Sequence, residues 1–293
     1  MWNLFKAFIF KLRKDLTFRI TLIVGAGIAV LLTVIYLFID LAAKNLFDEA
    51  GYKFMFATGQ NLFINSFSPA QNFGIAIPVN LITFTVLEFT QGTIRNKIIA
   101  GNSKPKIYAS LFLSGLVFTI SLITVYSLLS LLLGTICGAI GNGSFKEGFD
   151  INGQIAGLNN GRINPEFFWK MIVLALLAYV VITSFTIFFG TLLRNIGPCI
   201  PVVIILIFIF YMSSTIFGNL ATLGAEEISE PIKNINTALK IFNPFHSLIA
   251  WTTEDNIIQI KNDAFIAEII NNIVYTGLFF GFGMLIFSKR DVK

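Results

Sequence analysis

The sequence predicts an all-α integral membrane protein: six transmembrane helices preceded by an amphipathic interfacial helix, with both termini cytoplasmic. Three observations carry that prediction. The chain is 55% hydrophobic and only 13% charged, about half the charged fraction of ordinary soluble domains. Several apolar runs approach the ~20 residues that a helix needs to cross a bilayer. They are continuous instead of alternating with period two, which argues for helices over a barrel. Finally, the basic residues gather in connectors that fall on one side of the spans. The 32 Phe residues suit lipid-facing helices and mark no site.

Residues 1–16 (MWNLFKAFIFKLRKDL) form the interfacial helix. At 100° per residue Trp2, Phe5, Phe8, Ile9, Leu12 and Leu16 share one face, and Lys6, Lys11, Arg13 and Lys14 spread over the rest. A basic amphipathic helix of this kind lies in the membrane surface and is drawn to anionic lipid. The alternative, a signal-peptide n-region, is disfavoured because the apolar run from Phe18 to Ile39 is too long and no cleavage site follows it.

The first span covers about 20–39, and a mixed polar segment with Asp48, Glu49 and Gln60 follows. The second span, about 73–89, contains Pro78 and Asn80, which neighbouring helices can accommodate. The third, about 107–140, is longer than a bilayer requires, so it tilts or projects. Gly141 to Pro165 is rich in Gly and Asn and reads as an exposed loop. Its Asn142-Gly143-Ser144 matches a glycosylation sequon, a pattern short enough to arise by chance. The fourth and fifth spans, about 167–193 and 199–220, are joined by a tight turn at Arg194–Pro198. Residues 224–263 form an acidic outer loop whose apolar centre, Ile241 to Trp251, is too short to cross and reads as re-entrant or interfacial. The sixth span covers about 264–287.

The stretch between the second and third spans, EFTQGTIRNKIIAGNSKP (Glu88 to Pro105), has its own structure. Arg95, Lys97, Lys104 and the adjacent Lys106 would each cost about 2.5–3.5 kcal/mol at a bilayer centre. Together that is about 10–14 kcal/mol, which keeps the stretch out of the hydrocarbon. Gly92 and Thr93 break the preceding helix, and Thr93 can cap the next one. Ile94 and Ile98, at i and i+4, make an apolar stripe on a helix of about two turns within residues 91–100. Gly101 suits its C-terminal stop, and Pro105 suits the first turn of the following helix. A short amphipathic helix held at the membrane edge reads as a docking element or as a plain loop.

Charge orients the chain. Thirteen Lys and Arg against three acids fall on one side, and eight against thirteen on the other. The resulting +10 and −5 reproduce the net +5. The positive-inside rule places both termini and the Glu88–Pro105 stretch in the cytoplasm. The same distribution explains the net charge as membrane topology, with no nucleic-acid partner implied.

Little catalytic chemistry is present. No G-x-x-x-x-G-K-[ST] phosphate loop occurs, so the chain cannot itself be an ATPase. There is no HExxH and no acidic pair mid-span, and His246 is the single histidine, so neither an enzyme, a metal site nor a bound cofactor is expected. Cys137 and Cys199 fall near opposite faces of the bilayer, which argues against a disulfide. Gly25-Ala26-Gly27 and the Gly277/Gly281 pair read as helix packing, within the chain or between subunits. Asn80, Thr119, Ser121, Thr124, Ser127, Ser130, Thr183, Ser184 and Thr186 could line a path or bond between helices. Glu88 is the carboxylate singled out within a span. It reads as a solvated helix-end group pairing with Arg95, or as a subunit contact.

On these residues the chain resembles the membrane-spanning permeases of type-2 ATP-binding-cassette (ABC) exporters, in particular the six-span bacterial permeases for drugs and antibiotic peptides. The basic N-terminal helix, the Glu88–Ser110 stretch and the terminal FSKRDVK carry the likeness. The pattern is an acidic residue followed by G-T-I-R-x-x-x-x-x-G-x-[ST]-[KR], matched by Glu88, Gly92, Thr93, Ile94, Arg95, Gly101, Ser103 and Lys104. The resemblance implies a half-transporter in the bacterial cytoplasmic membrane, not itself an enzyme, pairing with a second copy or a sister permease. It also implies separate ABC ATPase subunits docked on a coupling helix at Glu88, Gly92, Thr93, Ile94, Arg95, Asn96, Lys97, Ile98 and Gly101. The Ile94/Ile98 stripe would then seat in an ATPase groove. The rival reading is an ATP-independent channel, immunity protein or assembly factor.

Overall fold

The computed structural model describes residues 2–47, 53–67, 74–149, 162–163, 165–223, 243, 252–254, 257–259 and 262–290. The architecture is helical. In chain order the helices are α1 (Trp2–Lys14), α2 (Leu16–Phe47), α3 (Gly59–Ser66), α4 (Gly74–Thr90), α5 (Thr93–Ile99), α6 (Lys104–Asn142), α7 (Phe145–Phe149), α8 (Pro165–Leu193), α9 (Ile196–Leu223) and α10 (Asn262–Lys289). Among the described residues three short strands, β1 (Arg162–Ile163), β2 (Thr252–Glu254) and β3 (Ile257–Gln259), tie the segment before α8 to the one before α10. In that ribbon β3 pairs parallel with β1 and antiparallel with β2.

Each expected span coincides with a helix. Among the described residues four helices are long and apolar enough to cross a membrane: Leu16–Leu46, Lys104–Asn142, Trp169–Leu193 and Asn262–Lys289. Ala76–Thr90 and Ile196–Phe210 are shorter apolar helices. The outward faces confirm a membrane protein. Helices α2 and α10 expose Ile23, Leu31, Phe38, Ile270, Ile273 and Phe282, large apolar side chains that suit contact with lipid better than with water.

Helix α6 is the spine. Its 39 residues extend about 58 Å at 1.5 Å per residue, well beyond the ~30 Å of a hydrocarbon core. Helices α1, α2, α3, α7, α8 and α10 all pack on it, and α4 packs on α8 and α9. Close approach to α6 needs small residues. A Cβ on Gly134 would lie 2.8 Å from the Thr58 carbonyl, and one on Gly138 would lie 2.7 Å from that of Gly148. Helices α3 and α7 therefore seat on the far end of α6 as a cap, α3 within the mixed polar segment and α7 where the sequence suggests an exposed loop.

Side-chain polarity inside the bundle is mostly satisfied locally. Thr186, Ser184, Ser114 and Ser127 donate to carbonyls three or four residues back in their own helices. Hydroxyl groups also join helices: Thr119 pairs with Thr183 at 2.9 Å, and Thr21 donates to Asn80 Oδ1 at 2.8 Å. Cys137 and Cys199 are both free thiols.

Several expectations need correction. In α1 the inward stripe is Leu4, Phe8 and Leu12, whereas Trp2 and Leu16 are exposed. Asp15 explains the shift at Leu16. Its carboxylate accepts the Thr17 N–H at 2.9 Å and so caps a new helix. Gly277 and Gly281 touch nothing within 4 Å of a built Cβ, so they pack no helix within the described chain. Asn142 donates through Nδ2 to the Phe54 and Glu147 carbonyls, which commits the atom a glycan would need. Of the Ile241–Trp251 segment only Asn243 lies among the described residues. It is buried and donates to the Phe210 carbonyl at 2.6 Å. His246 lies outside the described residues.

Candidate functional site

One end of the bundle gathers the three basic segments that the sequence reading singled out. Helix α4 carries Glu88 in its last turn and stops at a turn in which Gly92 adopts φ 69°. That left-handed conformation is open to glycine and strained for most other residues. Gly92 therefore takes the N-cap position of α5, and Thr93 becomes the first helical residue. Its hydroxyl donates back to the Glu88 carbonyl at 2.9 Å instead of capping α5 as expected. The far end of α5 closes as a Schellman motif. Gly101, at φ 85°, donates to the Ile98 carbonyl and Asn102 donates to that of Lys97, the pairing expected of a left-handed glycine cap. Ser103 then stands at the N-cap position of α6, with Pro105 in its first turn.

Glu88 is not a solvated helix-end group. Its side chain is fully buried, with Oε1 2.7 Å from Lys11 Nζ of α1 and Oε2 2.9 Å from Lys97 Nζ of α5. Lys11 also donates to Gln91 Oε1 at 3.2 Å. The expected Arg95 partner is replaced by Lys97 for a helical reason. Residue 97 lies three positions after Ile94 and so shares its inward face, whereas residue 95 lies about 100° away. Arg95 is exposed and Ile94 is wholly buried. Lys97 Nζ also sits 3.3 Å from the centroid of the Phe8 ring, a cation–π contact in a desolvated setting. Burial pulls the Lys97 ammonium below the usual lysine range. Glu88 works against that pull, and the Lys11 charge adds to it.

The Ile94/Ile98 stripe is thus spent inside this chain, Ile94 in the core and Ile98 packed against it. The surface that α5 leaves open consists of Arg95, Asn96, Ile99 and Ala100. Ile99 is 74% exposed, and sequence reasoning passed over it because it lies off the Ile94/Ile98 periodicity.

The C-terminal end of α10 joins the same region. Lys104 Nζ donates to the carbonyls of Ser288 at 3.1 Å and Arg290 at 3.0 Å, closing a helix C-terminus with a cation as its dipole favours. Arg290 donates to the Leu192 carbonyl at 2.6 Å, and the Arg194 guanidinium stacks 4.9 Å from the Phe89 ring centroid. Among the described residues no group of three His, Cys, Asp or Glu stands close enough to hold a metal.

A family model matches residues 31–293, all but the first thirty. The chain belongs to the DUF2705 family. That family is described as "Protein of unknown function (DUF2705)". Comparison with curated proteins and with solved structures finds no match. The DUF2705 match takes in Glu88, Lys97 and all of α5, while Phe8 and Lys11, which complete the ion cluster, precede it.

Besides Glu88, two charged residues lie inside the expected spans with no local sequence signal to mark them. Lys170 and Glu268 are 5% and 7% exposed. Lys170 bonds Asn262 Oδ1 at 2.7 Å and pairs with Glu166 at 2.9 Å. Both sit near the starts of their helices, which the apolar runs around them obscured.

Proposed function

We propose that this chain is a permease subunit of an ATP-driven exporter, six-span and multi-pass, in the bacterial cytoplasmic membrane with both termini cytoplasmic. A drug, antibiotic peptide or other amphipathic molecule is its cargo. A second copy or a sister permease completes the membrane part, and separate ATPase subunits dock on α5. The observation that supports this most is α5 itself. It is a two-turn helix fixed to α4 by Glu88 and Thr93 and to α1 by Lys97, with Arg95, Asn96 and Ile99 left facing outward. A connector whose sole task is to join α4 to α6 needs no such fastening. A rigid handle that passes movement from a partner to both neighbouring helices does.

The docking contacts differ from those the sequence alone suggests. Ile94 and Lys97 hold α5 to its own chain, so the partner meets Arg95, Asn96 and Ile99, with Glu88 setting the helix position from behind. Co-purification with an ATPase subunit lacking its own spans tests this. Arg95→Glu and Ile99→Asp are expected to abolish that association while leaving membrane insertion and thermal stability intact. Full association in both variants would sink the docking assignment.

A further inference from the structure

We propose that the groove between α1 and the last two turns of α4 binds an anionic phospholipid, its phosphate on Lys14 and Lys11 and its acyl region on Phe10, Phe84 and Leu87. The groove has a volume of about 430 Å³ and is completed by Asp15 and Gln91. That lies within the ~300–1,000 Å³ typical of small-ligand sites.

Charge selects an anion. Lys14 is exposed and forms no ion pair among the described residues. Lys11 spends two of its three donors on Glu88 and Gln91, which leaves one for the groove. Glu88 does not cancel Lys11, because Lys97 already holds its other oxygen. The remaining carboxylate, Asp15, is turned to the N-terminus of α2 through the Thr17 N–H, where the helix dipole offsets its charge.

The walls select a lipid over a soluble anion. Phe10 is 62% exposed on the groove side of α1. Beyond Phe84 and Asp15 the groove meets a narrow crevice lined by Leu12, Phe18, Leu81 and Phe118 together with Thr17, Asn80 and Thr83, so a mostly apolar surface continues along α4 away from the basic end. A phosphate in water has no use for that surface. A lipid places its headgroup at the cations and its glycerol and first methylenes along it. Occupancy has a consequence for α5, since the phosphate bonds the same Lys11 that braces Glu88. Bound lipid therefore tightens α1 against α4 and stiffens the platform on which α5 rests. The inference is independent of the ATPase reading.

The test uses the full chain in neutral detergent, titrated with dioctanoyl-phosphatidylglycerol, dioctanoyl-phosphatidylcholine or inorganic phosphate, with the thermal midpoint as readout. Phosphatidylglycerol is expected to raise the midpoint saturably, and the other two to leave it unchanged. Lys14→Glu and Lys14→Gln are expected to weaken the apparent affinity about fivefold or more, the contribution of one cation near an anionic headgroup. Lys6→Glu, on the same helix outside the groove, is expected to have no effect. The proposal is overturned by no response to phosphatidylglycerol, an equal response to phosphatidylcholine or phosphate, unchanged affinity in both Lys14 variants, or an equal loss in Lys6→Glu.

Discussion

Lys97 stands 2.9 Å from Glu88, and with its other side against Phe8 it fastens α5 to two helices at once. The Glu88 carboxylate, fully buried and shared with Lys11, is the hub of this arrangement. A buried ion pair adds little net stability, but removing one partner leaves the others uncompensated at a cost of about 3–5 kcal/mol. Glu88→Gln should therefore destabilise the protein by about that amount, since it strands two lysines that face each other. Lys11→Met should cost less, because Glu88 keeps Lys97 and Lys11 is already 36% exposed. Denaturant unfolding of the purified chain measures both. Equal stability of Glu88→Gln and wild type would show that the cluster is solvated in solution.

The Phe8 contact gives a separable prediction. Phe8→Leu keeps most of the volume against α6 and Phe84 while removing the ring face, and Lys97→Met keeps the stem while removing the charge. A double-mutant cycle between them should return a coupling of about 0.5–2 kcal/mol, the range for cation–π pairs from exposed to desolvated sites. Additivity would mean that the lysine merely passes the ring on its way to Glu88.

The helices were legible because each apolar run is long and its ends carry Gly, Pro or charge, as at Asp15, Gly92 and Gly101. The glycine stop after α5 could be read for the same reason, whereas at its start Gly92 takes the N-cap position and Thr93 bonds back to Glu88. What could not be read was direction. Ile94 and Ile98 mark an apolar face, but periodicity cannot say whether that face meets its own core or a partner, and here it meets the core. The Lys11–Glu88 pair was invisible because 77 residues separate its members and nothing local in α1 distinguishes Lys11 from Lys14. Helices α3 and α7 were missed because both are short, and their fit depends on glycines of α6 whose role appears only when the backbones meet.

Those glycines predict a contrast. A methyl group on Gly138 would press on the backbone of Gly148, 2.7 Å from its oxygen and 2.9 Å from its Cα, and neither can rotate away. Gly138→Ala should cost about 1–3 kcal/mol as an overpacked substitution and loosen α7 first. Gly277→Ala meets nothing within 4 Å and should leave stability unchanged or slightly raised. Comparing the two unfolding midpoints checks the idea, and an equal loss in both would contradict the packing around α6.

At the far end of α2, Asp40 is fully buried and accepts backbone N–H bonds from Met55 at 3.1 Å, Phe56 at 3.0 Å and Ala57 at 2.7 Å. One carboxylate thus organises the chain that leads into α3. Asp40→Asn keeps the shape but turns an amide donor toward backbone donors, so at least one N–H loses its acceptor. Each such buried loss costs about 1–3 kcal/mol. Amide hydrogen exchange at residues 55–57 should accelerate about ten- to a hundredfold, with α8 unaffected, as local opening predicts. Lys53→Ala supplies the control. It removes the Lys53–Glu147 pair, whose side chains are 50% and 39% exposed, and an exposed pair of this kind contributes little. If Lys53→Ala loosened residues 55–57 as much as Asp40→Asn, the surface pair and not the buried carboxylate would be what holds this segment.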